Sequence, residues 1–244
     1  MSSRRSDVLV VIPAYNEERN IGAVLRSVQS LESPPDVVVV NDGSVDRTEE
    51  VARQHGARVL SLPLNLGIGG AVQTGFRYAV AHGYRYAVQL DGDGQHDPRA
   101  IEDLLRPVRQ GQADIVIGSR YVTRTGYRAP LSRRIGMVIL ARVISALVGR
   151  PICDSTSGFR AYNREAFTFL ASHYPTDYPE PEAIVLLARN GFRILEVPVQ
   201  MHPRLNGESS INSARSIYYM VKVLLAVIVE AVRDRLRSKE ATSP

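Results

Sequence analysis

The segment Val8-Leu9-Val10-Val11-Ile12-Pro13-Ala14-Tyr15-Asn16-Glu17 opens on five consecutive apolar residues and breaks at a proline. An apolar run without polar alternation describes a strand buried on both faces, as in a sheet covered by helices on either side. Residues 18–31 follow with Ile21, Val24, Leu25, Val28 and Leu31 at helical spacing. The same alternation recurs downstream. Val37 to Val40 reads as a second buried strand before a helix over about 44–55, and Arg58 to Ser61 as a third before a helix over about 67–81. Tyr86 to Leu90 reads as a fourth strand before a helix opening at Pro98, a favoured first-turn residue. Ile115-Val116-Ile117 is a fifth strand. Strands alternating with helices predict an α/β architecture with a mostly parallel sheet.

Beyond residue 118 the rhythm breaks. Residues 119–134 are polar, arginine-rich and aperiodic, which predicts a mobile loop. A helix is expected over 135–148, a loop and short strand over 153–163, a helix over 182–190 and a strand over 192–199. Ile217 to Val229 is apolar almost all round and runs into Arg233, Arg235, Arg237 and Lys239. Such a helix spans about 20 Å, short of the roughly 20 residues a bilayer crossing needs. It is therefore expected on the domain core, on a second copy in a homodimer, or on an anionic membrane surface, where each basic residue contributes about 1 kcal/mol. One catalytic domain is expected over residues 1–205, with a C-terminal helical extension over 206–244.

Hydrophobic residues at 44% and charged residues at 23% place the chain among ordinary globular proteins, so wholesale disorder is excluded. The net charge is +5, and Lys222 and Lys239 are the only lysines. Arginine forks suit phosphate oxygens, although an arginine-favouring codon usage gives the same composition. The arginines are scattered, with no basic run, zinc-ligand spacing or aromatic RNA-binding signature, so no nucleic-acid partner is expected. The single cysteine, Cys153, makes no internal disulfide, and no apolar signal-peptide core follows Arg4-Arg5. Both features point to the cytoplasm, with the last helix allowing peripheral attachment to the inner face of the cell membrane.

In an open parallel sheet, ligands bind outside the carboxyl ends of the strands, and the polar motifs fall there. They are Pro13-Ala14-Tyr15-Asn16-Glu17, Asn41-Asp42-Gly43-Ser44, Asn65-Leu66-Gly67-Ile68-Gly69-Gly70 and Asp91-Gly92-Asp93-Gly94-Gln95-His96. Paired carboxylates at a strand end hold Mg²⁺ or Mn²⁺ through oxygen and leave positions open for phosphate. An acidic turn that only caps the helix near Pro98 is the plainer alternative. An EF-hand is excluded, because His96 stands at the loop's glycine position and a strand precedes the loop. A Rossmann dinucleotide site is excluded by Val72 in place of the third glycine, and a P-loop by the missing Gly-Lys-Ser/Thr.

Together these motifs resemble the inverting family-2 glycosyltransferases of the GT-A fold, and within them the dolichyl- and polyprenyl-phosphate mannose or glucose synthases. The resemblance spans about residues 7–212 and includes Gly118-Ser119-Arg120-Tyr121, Asp154, Ser157-Gly158-Phe159-Arg160 and Gly207-Glu208-Ser209-Ser210-Ile211. It implies a metal-dependent transfer from a nucleotide-sugar donor, GDP-mannose or UDP-glucose, by a single inverting displacement. Pro13, Tyr15 and Glu17 would line the nucleoside pocket, Asp42 would accept from the base, and Gly67 and Gly70 would permit close approach of the nucleotide. Asp91, Asp93 and Gln95 would surround the metal, Mg²⁺ or Mn²⁺, and the diphosphate. Arg120 and Arg133, on the loop, would bind phosphates and join Asp93 in catalysis, with Arg160 also available to the acceptor.

The acceptor follows from chemistry. A sugar hydroxyl must lose a proton on attack and needs a general base, whereas a lipid phosphate is already ionised. The arginines therefore favour a polyprenyl phosphate acceptor. Tyr178-Pro179-Glu180-Pro181-Glu182 departs from that pattern, because Glu180 or Glu182 would serve as base for a hydroxyl of a glycan or small molecule. Glu182 as a cap of the following helix is the structural alternative. A sugar-nucleotide pyrophosphorylase would need a glycine- and arginine-rich loop after the first strand, which is absent. A nucleotide-binding pseudoenzyme would have lost an acidic ligand, and both are present.

Overall fold

The computed structural model describes residues 6–122, 131–175 and 178–202, together with Lys222 and Leu225. The expected 206–244 extension, its apolar helix and the Gly207–Ile211 motif lie outside the described residues. Strands β1 (Val8–Ala14), β2 (Asp36–Asn41), β3 (Arg58–Ser61), β4 (Tyr86–Gln89), β5 (Ile115–Ser119), β6 (Arg160–Asn163) and β7 (Ile194–Pro198) form one sheet. Its order is β3-β2-β1-β4-β6-β5-β7. Every pairing is parallel except those of β6, which runs antiparallel between β4 and β5.

The unbroken apolar runs arise because both faces are covered. In β1, Leu9 and Val11 pack on the face carrying α3 (Gly67–Ala81), α5 (Leu131–Val148), α6 (Arg164–His173) and α7 (Pro179–Arg189). Val8, Val10 and Ile12 pack on the opposite face, under α1 (Ile21–Gln29), α2 (Thr48–Gln54) and α4 (Ile101–Arg109). All five side chains are buried, which supplies the apolar area that drives the fold.

The structure differs from the sequence expectations in the second half. α5 begins at Leu131, so the last part of the expected 119–134 loop is helical. α6 was not expected, although Ala166, Phe167, Leu170 and Ala171 carry helical spacing and are buried. Its N-cap is Asn163, whose side chain accepts from the Ala166 amide. α7 starts at Pro179, three residues earlier than the expected 182, because proline is tolerated in a first turn. β5 does not follow β4 in space, since β6 is inserted between them.

Candidate active site

Four loops meet at the carboxyl edge of β1 to β4, and backbone donors lace the first three together. The Asn16 amide donates to Ser44 Oγ at 3.0 Å, and the Val45 amide donates back to Asn16 Oδ1 at 3.0 Å. The Glu17 amide donates to Thr48 Oγ1 at 2.8 Å. Asn16 holds φ at 55°, a left-handed conformation that asparagine tolerates. The loop thereby leaves Tyr15 48% exposed. Pro13, the residue before the last of β1, is half-buried.

Asp42 is buried and its Oδ1 accepts the Leu66 amide at 2.7 Å, which ties the β2 loop to the β3 loop. Glu17 Oε2 accepts from Asn20 Nδ2 at 2.6 Å, so its carboxylate is turned toward the start of α1. Gly67 opens α3 with φ at 78° and open space where a side chain would sit. Gly70 differs from expectation. A Cβ there would lie 2.6 Å from Leu66 Cβ, so packing against its own loop requires the glycine.

Asp91 lies just past β4, on the floor of this edge. Its Oδ2 accepts from His96 Nε2 at 3.2 Å, and its Oδ1 is buried with no hydrogen-bond partner among the described residues. Burial works to raise its pKa, but the His96 hydrogen bond and the charges of His96, Arg120 and Arg160 outweigh it and hold the carboxyl below its ordinary value. Asp93 Oδ1 accepts the Gln95 amide at 3.0 Å, which brings Asp93 and Gln95 to the same turn. Asp97 caps the short 3₁₀ turn Pro98–Ala100 by accepting the Arg99 amide.

The donor set fits a hard divalent cation. Two carboxylates and an amide side chain share one six-residue turn, and one carboxylate oxygen is buried without a donor among the described residues. A carboxylate has about four lone-pair positions to satisfy, and a cation would satisfy them here. Among the described residues no three His, Cys, Asp or Glu side chains converge into a closed cage. The remaining positions of an ion on this turn would therefore fall to ligand oxygens.

Two of the three predicted arginines, Arg120 and Arg160, are committed to internal partners. Arg120 is buried and forked onto Asp154, with Nε to Oδ2 at 2.6 Å and Nη2 to Oδ1 at 2.6 Å. Its backbone amide donates to the same carboxylate, and Nη2 also reaches Thr156 Oγ1 at 2.8 Å. Asp154 is fixed in turn by Glu196, which accepts the Cys153 and Asp154 amides at 2.8 and 2.7 Å. Arg160 is 0% exposed, and its guanidinium donates to the carbonyls of Ser157, Ser155 and Glu180. Its charge is felt by the Asp91 and Glu180 carboxyls. Arg133 falls in the first turn of α5, and its side chain lies outside the described residues.

Glu180 and Glu182 both occupy the first turn of α7. Residues two apart on a helix point about 200° from each other, so only one can face the cleft. Glu180 is that one. Burial pushes its carboxyl up, Arg160 pulls it down, and the Asp91 charge adds to the rise. Sequence reading missed His96, Asp154, Glu196 and the buried Gln89, whose Oε1 accepts from Tyr162 and Tyr174 at 3.3 Å each. His96 and Asp154 stood inside recognised motifs; nothing in the spacing signalled Glu196 or Gln89.

Comparison with known proteins supplies the name of this arrangement. The sequence profile described as Glycosyl transferase family 2 matches residues 9–170. The chain is 32% identical over 231 residues to the dolichyl-phosphate hexose transferase of Haloferax volcanii, spanning 95% of this chain and 96% of that one. It is 33% identical over 225 residues to the polyprenol monophosphomannose synthase of Mycolicibacterium smegmatis, spanning 88% of this chain and 84% of that one. Among solved structures, glucosyl-3-phosphoglycerate synthase from Mycobacterium tuberculosis, in complex with Mn²⁺, uridine diphosphate and glucosyl-3-phosphoglycerate, superimposes with a TM-score of 0.65 at 22% identity. That match covers 93% of this chain and 80% of the other and concerns the fold. With the profile on both halves of the sheet and the acidic turn at its carboxyl edge, the chain belongs to glycosyl transferase family 2 and is a glycosyltransferase of the GT-A fold.

Proposed function

We propose that the protein transfers a hexose, mannose or glucose, from a nucleotide-sugar to polyprenyl phosphate with inversion at the anomeric carbon. The observation that carries this reading is the acidic turn at Asp91 and Asp93, set where the four loops meet, in a chain that matches lipid-phosphate sugar transferases along nearly its whole length. Tyr15, Pro13, Glu17 and Asp42 would border the nucleoside, GDP or UDP, with Gly67 at the loop's edge. Asp91, Asp93 and Gln95 would hold Mg²⁺ or Mn²⁺ against the diphosphate. When bound, that ion supplies Lewis-acid neutralisation of the departing diphosphate.

The chain's own groups do the rest. The charges of Arg120 and Arg160 are felt at Asp91, and fixed charges of this kind would favour a departing diphosphate. The bond from the anomeric carbon to the diphosphate oxygen breaks, its electron pair leaves with the nucleoside diphosphate, and a phosphate oxygen of the lipid bonds from the opposite face. No proton moves, because the acceptor is already ionised. Arg133, at the start of α5, is proposed to meet the acceptor phosphate.

A second reading, transfer to a hydroxyl, is favoured by one observation: the Glu180 carboxyl lies within electrostatic reach of Asp91 and is pushed up by burial, as suits a general base. Two substitutions separate the readings. Asp93→Ala should lower turnover about 100-fold or more under either. Glu180→Gln should leave transfer to polyprenyl phosphate within about threefold of wild type, since removal of a working base costs about 10²–10⁴-fold. Full turnover by Asp93→Ala at saturating Mn²⁺ would refute the metal assignment. A hundredfold loss in Glu180→Gln would favour the hydroxyl reading.

A further inference from the structure

The Asp91 carboxylate is held by two groups that no part of the reaction scheme uses. His96 is the first. Its side chain is 1% exposed, its ring packs on Phe159 with centroids 5.1 Å apart, and its backbone pairs with Met201 in an antiparallel bridge. The neighbouring Gln95 carbonyl accepts the His202 amide at 2.8 Å, so the turn is fastened on both sides of the ring. Toward an ionised carboxylate the ring nitrogen must donate, so Nε2 carries the proton that Asp91 Oδ2 accepts.

That choice leaves Nδ1 buried without a partner among the described residues. A side chain present only for packing would not leave a buried polar nitrogen unsatisfied, since leucine would fill much of the same space. Gly158 is the second group. A Cβ built on it would lie 2.6 Å from Asp91 Oδ1 and 2.7 Å from Oδ2, so the carboxylate rests against bare backbone there. That backbone is itself fixed, because the Gly118 amide donates to the Phe159 carbonyl at 2.8 Å.

We propose that His96 and Gly158 are positioning residues that together set the plane of the Asp91 carboxylate for a divalent cation carrying the donor's diphosphate. The proposal rests on the metal reading given above and adds the two residues that make it selective for geometry. His96 fixes one oxygen by a directed donor, and Gly158 gives the carboxylate a flat seat that any side chain would occupy. Outer partners of this kind tune metal affinity without touching the metal.

The test uses full-length wild-type protein, His96→Leu, His96→Gln and Gly158→Ala. Mn²⁺ binding is followed by loss of the free-ion electron paramagnetic resonance signal, with UDP or GDP present, and melting temperature is recorded separately. His96→Leu and Gly158→Ala should weaken Mn²⁺ binding about tenfold or more. His96→Gln, whose Nε2 reaches the position of the histidine donor, should return to within about threefold of wild type. Gly158→Ala keeps the test open should His96→Leu fail to fold. Wild-type Mn²⁺ affinity in folded His96→Leu or Gly158→Ala would overturn the proposal. So would His96→Gln binding as weakly as His96→Leu. Absence of Mn²⁺ binding by the wild type would instead strike the metal reading, and the seat would fall with it.

Discussion

Arg160 shows how far a residue's meaning depends on what surrounds it. In the sequence it follows Ser157-Gly158-Phe159 and invites a phosphate-binding role. In the structure its three guanidinium nitrogens satisfy three backbone carbonyls, at 2.7, 2.9 and 3.2 Å, with no exposed surface. Arg160→Met should therefore destabilise the protein by about 3–5 kcal/mol, because two carbonyls of the loop before β6 and one in the first turn of α7 lose their donor together. Urea unfolding measures this. An unchanged midpoint combined with a raised KM for the acceptor would show that Arg160 meets substrate after all. The place of Asp91 and Asp93 just past β4 was legible without the structure, because an apolar run followed by two acids and two glycines marks a strand end; their metal role is a proposal. Asp154 as partner of Arg120 was not, since 34 residues separate them and nothing local links their charges.

At the scale of elements, the βα alternation from β1 to β4 was readable because each strand is covered on both faces and each helix shows one apolar stripe. The insertion of β6 was not, since four residues flanked by a polar loop carry no mark of strand direction. What secures that insertion is a polar clasp at the far end of the sheet. Arg193 Nε and Nη2 donate to the two oxygens of Asp114 at 3.0 and 2.8 Å, and Asn163 Nδ2 donates to Oδ1 at 2.9 Å. Thus the starts of β5 and β7 and the end of β6 share one carboxylate.

The Arg193 hydrogen bonds hold the Asp114 carboxyl below its ordinary value, against the opposing effect of burial. A depressed folded-state pKa contributes stability that is fully present above the unfolded value of about 3.9 and is lost as pH falls through the folded one. Asp114→Asn should therefore be less stable than wild type at neutral pH, and the gap should close below about pH 4. Denaturant midpoints across pH measure it. A gap independent of pH would show that the clasp acts through shape and not through charge.

For the whole molecule, the proposed reaction would set the donor over the carboxyl ends of β1 to β4 and leave the acceptor to the side of β5, α5 and α7. Among the described residues no helix is long and apolar enough to cross a membrane. Contact with a lipid substrate would then fall to surfaces such as α5, where Val138 and Ile139 are exposed. The expected homodimer or anionic-membrane contact of the chain beyond residue 205 stays a proposal, to be read with the acceptor. The donor's identity was not legible in sequence, because a base met by backbone groups would leave no mark in side chains.

The central claim is that a phosphate on a lipid, and no hydroxyl, receives the sugar. The direct measurement is to incubate the protein with Mn²⁺ or Mg²⁺ and labelled GDP-mannose or UDP-glucose, with and without polyprenyl phosphate, and to partition the products between organic solvent and water. Label entering the organic phase only when the lipid phosphate is present is the predicted result. Label transferred to a water-soluble acceptor, with none in the organic phase for either donor, would contradict it.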